Sequence, residues 1–113
     1  MKKLLAFMVS APLLVAAAPY TNDQLANGFA RLVAAGKTIT PLMSAEVPED
    51  VAANLVALAG CEVSEVETLR TKYVGYGIQW ECRKKPKGIK NAAVIKIQDG
   101  KIYQILMSDM VNG

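Results

Sequence analysis

Two cysteines, Cys61 and Cys82, stand at the outer ends of the stretch CEVSEVETLRTKYVGYGIQWEC. Its second half alternates with period two: Val74, Tyr76, Ile78, Trp80 and Cys82 share one face of an extended strand. Gly75 and Gly77 fall on the other face, where a close crossing or a bulge is expected. In the first half Cys61, Val63 and Leu69 share a face that Glu65 and Glu67 interrupt, and a bulge near Ser64–Glu65 would bring Val66 into line. If the stretch folds back about Thr71-Lys72, Cys61 faces Cys82. Directly opposed strand residues lie ~4.5–5.5 Å apart, within the span of a disulfide. A four-residue loop from Arg70 to Tyr73 keeps the same pairing, and Thr-Lys is not a favoured two-residue turn. A covalent link across a hairpin fixes which strands are neighbours, so the rest of the chain must fold around it. Two cysteines without a histidine make a poor zinc site, and a redox pair would sit closer in sequence.

The N-terminus says where such a bond would form. MKKLLAFMVSAPLLVAAAPY has a basic start at Lys2 and Lys3, an apolar run from Leu4 to Ala18 and small residues after it. This is the pattern of a secretory signal peptide, too short to span a bilayer, with Val15 and Ala17 at the small-residue positions before the cut. The expected organisation is a signal peptide over 1–17 and one domain over 18–113, periplasmic or secreted, where a disulfide persists. Of the 13 basic residues two belong to the leader, which leaves 11 against 10 acidic. That near-neutral balance gives no ground for a nucleic-acid partner. A domain of this size builds one modest core and benefits from a staple.

Thr21 followed by Gln24 forms a capping box, and Leu25, Phe29, Leu32 and Val33 recur at helical spacing up to a stop at Gly36. The spacing predicts a helix over 22–35, weakened at Gly28. Residues 37–47 connect, with Ile39, Leu42 and Met43 tucked against the core. Pro48 at the first helical position, Glu49 and Asp50 near the positive dipole end, and Gly60 as the left-handed stop predict a second helix over 48–59. Val51, Leu55 and Leu58 line its inner face and Val56 widens it. After the cysteine hairpin comes a basic loop, RKKPKGIKN. A last hairpin then turns at Asp99-Gly100, where Ala93, Ile95 and Ile97 would pair with Leu106, Gln104 and Ile102. Val94 and Ile105 make its other face partly apolar. The tail SDMVNG looks frayed. The expected fold is α+β, two N-terminal helices packed on one face of a four-stranded antiparallel meander with one disulfide.

Without a histidine, the chain lacks the commonest general base and triad member. It has no phosphate-cradling glycine loop and no nucleophile-elbow motif. No catalytic residue, metal ligand or cofactor is assigned. Glu62, Glu65, Glu67 and Glu81 surround the first hairpin; acid–base work would need one of them buried, and a solvated strand face is the plainer account. Arg83, Lys84, Lys85, Lys87 and Lys90 form the dense basic run, fit either for an anionic surface or acidic partner or simply for water. Trp80 and Tyr76 fall on the core-facing side of the hairpin, while Tyr73 and Tyr103 fall in the opposite phase. A helix–sheet cavity, if open, would expose Glu65, Tyr76 and Trp80.

Two helices followed by a meander ending in AAVIKIQDGKIYQI resemble the nuclear-transport-factor-two-like and cystatin-like superfolds. That resemblance implies a cone-shaped α+β domain, whose enzymes place a His–Asp or Tyr–Asp arrangement inside the cone; no such pair is matched in this sequence. Cystatin-type inhibition implies a Q-x-V-x-G loop, and the nearest string, Lys72-Tyr73-Val74-Gly75, lacks the glutamine. The helix–helix–four-strand order with a disulfide also looks like the repeat of β-lactamase-inhibitor-like proteins and of small outer-membrane assembly lipoproteins, without their duplication or lipid-bearing cysteine. Three functions follow as expectations. The first is an exported, non-catalytic binding or scaffold domain, with an envelope protein as its expected partner. The second is a ligand-binding or enzymatic domain using the helix–sheet cavity, and the third is docking to an anionic membrane surface through 83–90.

Overall fold

The computed structural model describes residues 20–70, 74–85 and 88–109. The expected signal peptide, the turn at 71–73, Lys87 and the last four residues lie outside them.

Helix α1 spans Asn22–Ala34 and begins with the expected capping box, Thr21 and Gln24 each satisfying the other's backbone N–H. Its end is a Schellman motif: Gly36 N–H reaches the Val33 carbonyl and Lys37 N–H the Leu32 carbonyl. Gly36 holds φ +72°, and a Cβ there would sit 3.2 Å from that of Ala59. Leu25, Ala26, Phe29, Ala30 and Val33 are buried along one stripe. A single 3₁₀ turn, Thr40–Leu42, follows with Pro41 near its start. Ile39, Leu42 and Met43 pack against the core as expected.

Helix α2 is shorter than the sequence suggests, Glu49–Val56, with Pro48 as its N-cap rather than its first helical residue. Its last turn tightens, Leu58 N–H bonding the Leu55 carbonyl and Ala59 N–H the Val56 carbonyl. That tightening carries Leu58 into the core and leaves Val56 73% exposed, outside the face it was expected to widen. Gly60, at φ +94°, donates its N–H to the Ala34 carbonyl at 2.8 Å, so the two helix ends meet.

The sheet is an antiparallel meander of four strands in chain order: β1 Glu62–Arg70, β2 Val74–Glu81, β3 Ala92–Gln98 and β4 Lys101–Ser108. Cys61 and Cys82 form the disulfide at the open end of the β1–β2 hairpin, with Cα atoms 4.6 Å apart. The register shifts between Val63 and Glu65, at the bulge the sequence predicts. It sets Val66 opposite Ile78. The same shift has a second effect that the sequence reading missed. Beyond the bulge Leu69 opposes Gly75 and moves to the outer face, where its side chain lies over Gly77; a Cβ added there would stand 3.5 Å from Leu69 Cδ2. Arg70 pairs with Val74, so three residues join the strands rather than two or four.

A second register shift, near Tyr103, corrects the last hairpin. Ile97 opposes Ile102 as expected, but the extra residue then sets Ile95 opposite Ile105 and Val94 opposite Leu106. Ile105 therefore enters the core, and Leu106 stands 51% exposed on the outer face.

Both helices lie on one face of the sheet, α1 over β1 and β2 and α2 over β4. The core between them holds Phe29, Leu58, Ile78, Trp80, Ile95 and Ile102. Trp80 is its centre. Its indole N–H donates to the Ala30 carbonyl at 3.0 Å, and its ring meets Phe29 edge-on with centroids 6.3 Å apart. The burial of two large aromatic rings and a satisfied indole N–H in one contact ties α1 to the middle of the sheet.

Candidate functional site

The residues proposed from sequence to line a cavity do not come together. Tyr76 and Trp80 point into the core, 5% and 1% exposed, while Glu65 lies opposite Gln79 on the outer face of the sheet. The space between helices and sheet is filled by Phe29, Leu55, Ile78 and Trp80, all buried.

Tyr76 nevertheless has a partner that sequence reasoning did not supply. Its hydroxyl donates a short hydrogen bond to Asp23 Oδ1, in the first turn of α1. The residues are 53 positions apart, and only the packing of α1 across β2 joins them. Nothing in the local sequence around Asp23 gives a cue to this tertiary contact. Burial first, then the hydrogen bond and the negative charge of Asp23, push the Tyr76 phenol up to about 12. The pair is thus a Tyr–Asp arrangement, but one whose hydroxyl is half-buried and already committed.

The four glutamates occupy one margin of the outer face and are exposed. Glu62 lies directly opposite Glu81 in the ladder, and Arg83 approaches Glu81 at 3.4 Å. A shallow depression of about 180 Å³ adjoins Glu65, Glu67, Gln79, Ala92 and Val94. Among the described residues, no group of three or more His, Cys, Asp or Glu side chains is placed to hold a metal ion. In the basic run Arg83 leans back on Glu81; Lys84 and Lys90 are exposed and Lys85 is half-buried.

A more enclosed concavity lies where none was expected. The end of α1, the connection that follows and the outer side of α2 surround a groove of about 520 Å³. Val33, Ile39, Met43, Val47, Leu55 and Val56 supply its apolar walls, and Lys37 and Glu46 stand in its lining. Neither of these two charges has an ion-pair partner among the described residues. The groove exists because the helix ends are pinned together by Gly36, Ala59 and Gly60 while residues 37–47 arch away to reach the sheet. Its far side is held by Met43, which bridges to Ile102, and by Ser44 N–H on the Ile102 carbonyl at 2.9 Å. Lys101 Nζ clamps the arch at the Pro41 carbonyl, also at 2.9 Å. From sequence, the apolar residues of 37–47 signalled only core contact, and Ile39, Leu42, Met43 and Val47 do pack partly against it.

With this geometry in hand, comparison with known proteins adds no relative: no family model matches the chain, and neither a curated protein nor a solved structure matches it.

Proposed function

We propose that this chain is a small exported binding domain that presents a preformed apolar groove and performs no covalent chemistry of its own. The observation that carries the reading is a contrast between two spaces. The helix–sheet interior is closed by Phe29, Leu55, Ile78 and Trp80, whereas the groove beside α2 stays open and apolar at about 520 Å³. Pockets for small ligands fall in the range of roughly 300–1,000 Å³ and combine apolar walls with a few polar groups. Here those polar groups are Lys37 and Glu46, of opposite sign. The class of ligand that fits is an amphiphile with an apolar chain and a polar end. Export rests on the basic-then-apolar N-terminal pattern and on the disulfide, a bond that persists in oxidising compartments.

Methyl NMR tests the groove. Monomeric dodecylphosphocholine, titrated below its micelle concentration, is expected to give saturable shifts in the methyls of Val33, Ile39, Val47 and Leu55. Val56→Lys, at a position already open to water, should weaken them about tenfold. Shifts spread evenly over the surface, or none at all, would remove the groove as the binding feature.

One observation favours a second reading, an enzymatic domain. Tyr76 and Asp23 form a Tyr–Asp pair of the kind that the superfold resemblance implies. Against it, a phenol pushed up to about 12 keeps its proton at neutral pH, and its hydroxyl is already held by Asp23 on a tyrosine that is 5% exposed. The enzymatic reading requires that Tyr76→Phe abolish a turnover that the wild type shows; the binding reading requires that it leave amphiphile affinity unchanged.

A further inference from the structure

The two edges of the sheet are built differently. β1 carries Glu62, Glu65 and Glu67 and a bulge after Val63, both devices that discourage another strand from pairing there. β4 has neither over most of its length. From Ile102 to Ser108 it reads IYQILMS, without a charge. Among the described residues only its first part is covered: Met43 bridges to Ile102, and Ser44 bonds the Ile102 carbonyl. Beyond the irregularity at Tyr103, Gln104–Ser108 pairs with β3 on one side and with no strand on the other among the described residues.

We propose that this edge pairs antiparallel with β4 of a second copy of the chain, about a two-fold axis at Leu106, joining two four-stranded sheets into one of eight strands. The choice of occupant follows from what such an axis opposes. Leu106 meets Leu106, Ile105 meets Met107, and Gln104 meets Ser108. Opposed residues in an antiparallel ladder share a face. On the outer face, Leu106, now 51% exposed beside Val94, is covered by its own copy, with neutral polar residues flanking it. On the helix side the buried Ile105 is extended by the half-buried Met107. Each face of the new ladder is thus apolar at its centre, and no like charges are opposed. A C2 interface requires this self-complementarity, since the same patch serves both subunits. The β1 edge would instead oppose glutamates to glutamates.

Sedimentation equilibrium of the full chain, disulfide intact, over a micromolar to near-millimolar series tests this. The wild type is expected to dimerise reversibly. Leu106→Lys and Leu106→Glu are each expected to weaken self-association at least tenfold, with circular dichroism unchanged because the side chain is exposed in the monomer. Mixing the two variants is expected to restore a heterodimer, since the axis sets position 106 against position 106. Val74→Lys, a charge at an exposed position away from β4, should leave the dimer intact. A wild type that is monomeric throughout overturns the proposal and leaves the edge to a strand from another protein. A dimer that survives either charge overturns the interface, and failure of the mixture to associate overturns the register.

Discussion

Tyr76 and Trp80 alternate on the same strand face, and their polar atoms find different kinds of partner. The Trp80 indole N–H bonds a helix carbonyl inside the core, a contact that does not titrate. The Tyr76 hydroxyl bonds a carboxylate at the margin of the core, and that contact does. An unfolded tyrosine loses its proton near pH ~10, whereas the folded Tyr76 holds it to about 12. Between these values the unfolded state carries fewer protons than the folded one, so stability falls as pH rises. The contribution is fully present below pH ~10 and is lost through about 12. Urea titrations across this window should show a decline on the order of 2 kcal/mol in the wild type. The part due to this residue should be missing in Tyr76→Phe, which at neutral pH costs ~1 kcal/mol for the lost hydrogen bond. Equal slopes for the two proteins would assign the alkaline loss to another group.

At the scale of elements, α1 offers two glycines with opposite roles. Gly28 lies within the helix, and a Cβ there would meet nothing within 4 Å. Gly28→Ala should therefore raise stability by about 0.5–1 kcal/mol, through helix propensity and a less flexible unfolded chain. Gly36 ends the helix at φ +72°, with Ala59 beside it. Gly36→Ala should lower stability by at least ~1 kcal/mol, since the left-handed conformation is costly for a side chain before any crowding is counted. Urea midpoints moving in opposite directions would bear this out; two shifts of the same sign would not. α2 depends more on its surroundings. Its eight residues are too few to be stable alone, and its hold on β4 comes from burying Leu55 and Leu58.

For the whole molecule, the disulfide closes the open end of the β1–β2 hairpin, whose strands are joined by three residues. It joins the end of α2 to the start of the basic loop, so the sheet margin is held at the end of the hairpin opposite its turn. Replacing both cysteines by serine should cost ~3 kcal/mol in the chain-entropy account, measured as a lower urea midpoint against the oxidised wild type. Two free thiols in the intact mass of the recovered protein would remove the staple from the account altogether. The dimer proposed through β4 belongs to the same scale. If it forms, thermal midpoints should rise with protein concentration, because association stabilises the folded state by mass action.

Much of this architecture was legible because the signals were local. The Thr21–Gln24 box, Gly36, Gly60, Asp99-Gly100 and the alternation from Val74 to Cys82 each act over a few residues, and each appears in the fold. The bulge at Ser64 was legible too, since Val66 had no other way into the core. What it did to Leu69 was not, because a one-residue slip moves every later side chain to the other face. The slip at Tyr103 likewise exchanged Ile105 and Leu106, two residues that hydrophobicity alone cannot rank. The candidate site was less legible than the fold. Sequence patterning placed Trp80 and Tyr76 inside correctly, and it had no means of joining Tyr76 to Asp23 or of raising an arch over α2. By itself, then, the sequence determined the elements, their order and the cross-strand disulfide, which depend on short-range sterics and periodicity. Only the tertiary structure decided which apolar side chains remain outside, which cavity closes and which groove stays open, because those outcomes depend on how helix ends, bulges and strand edges meet in space.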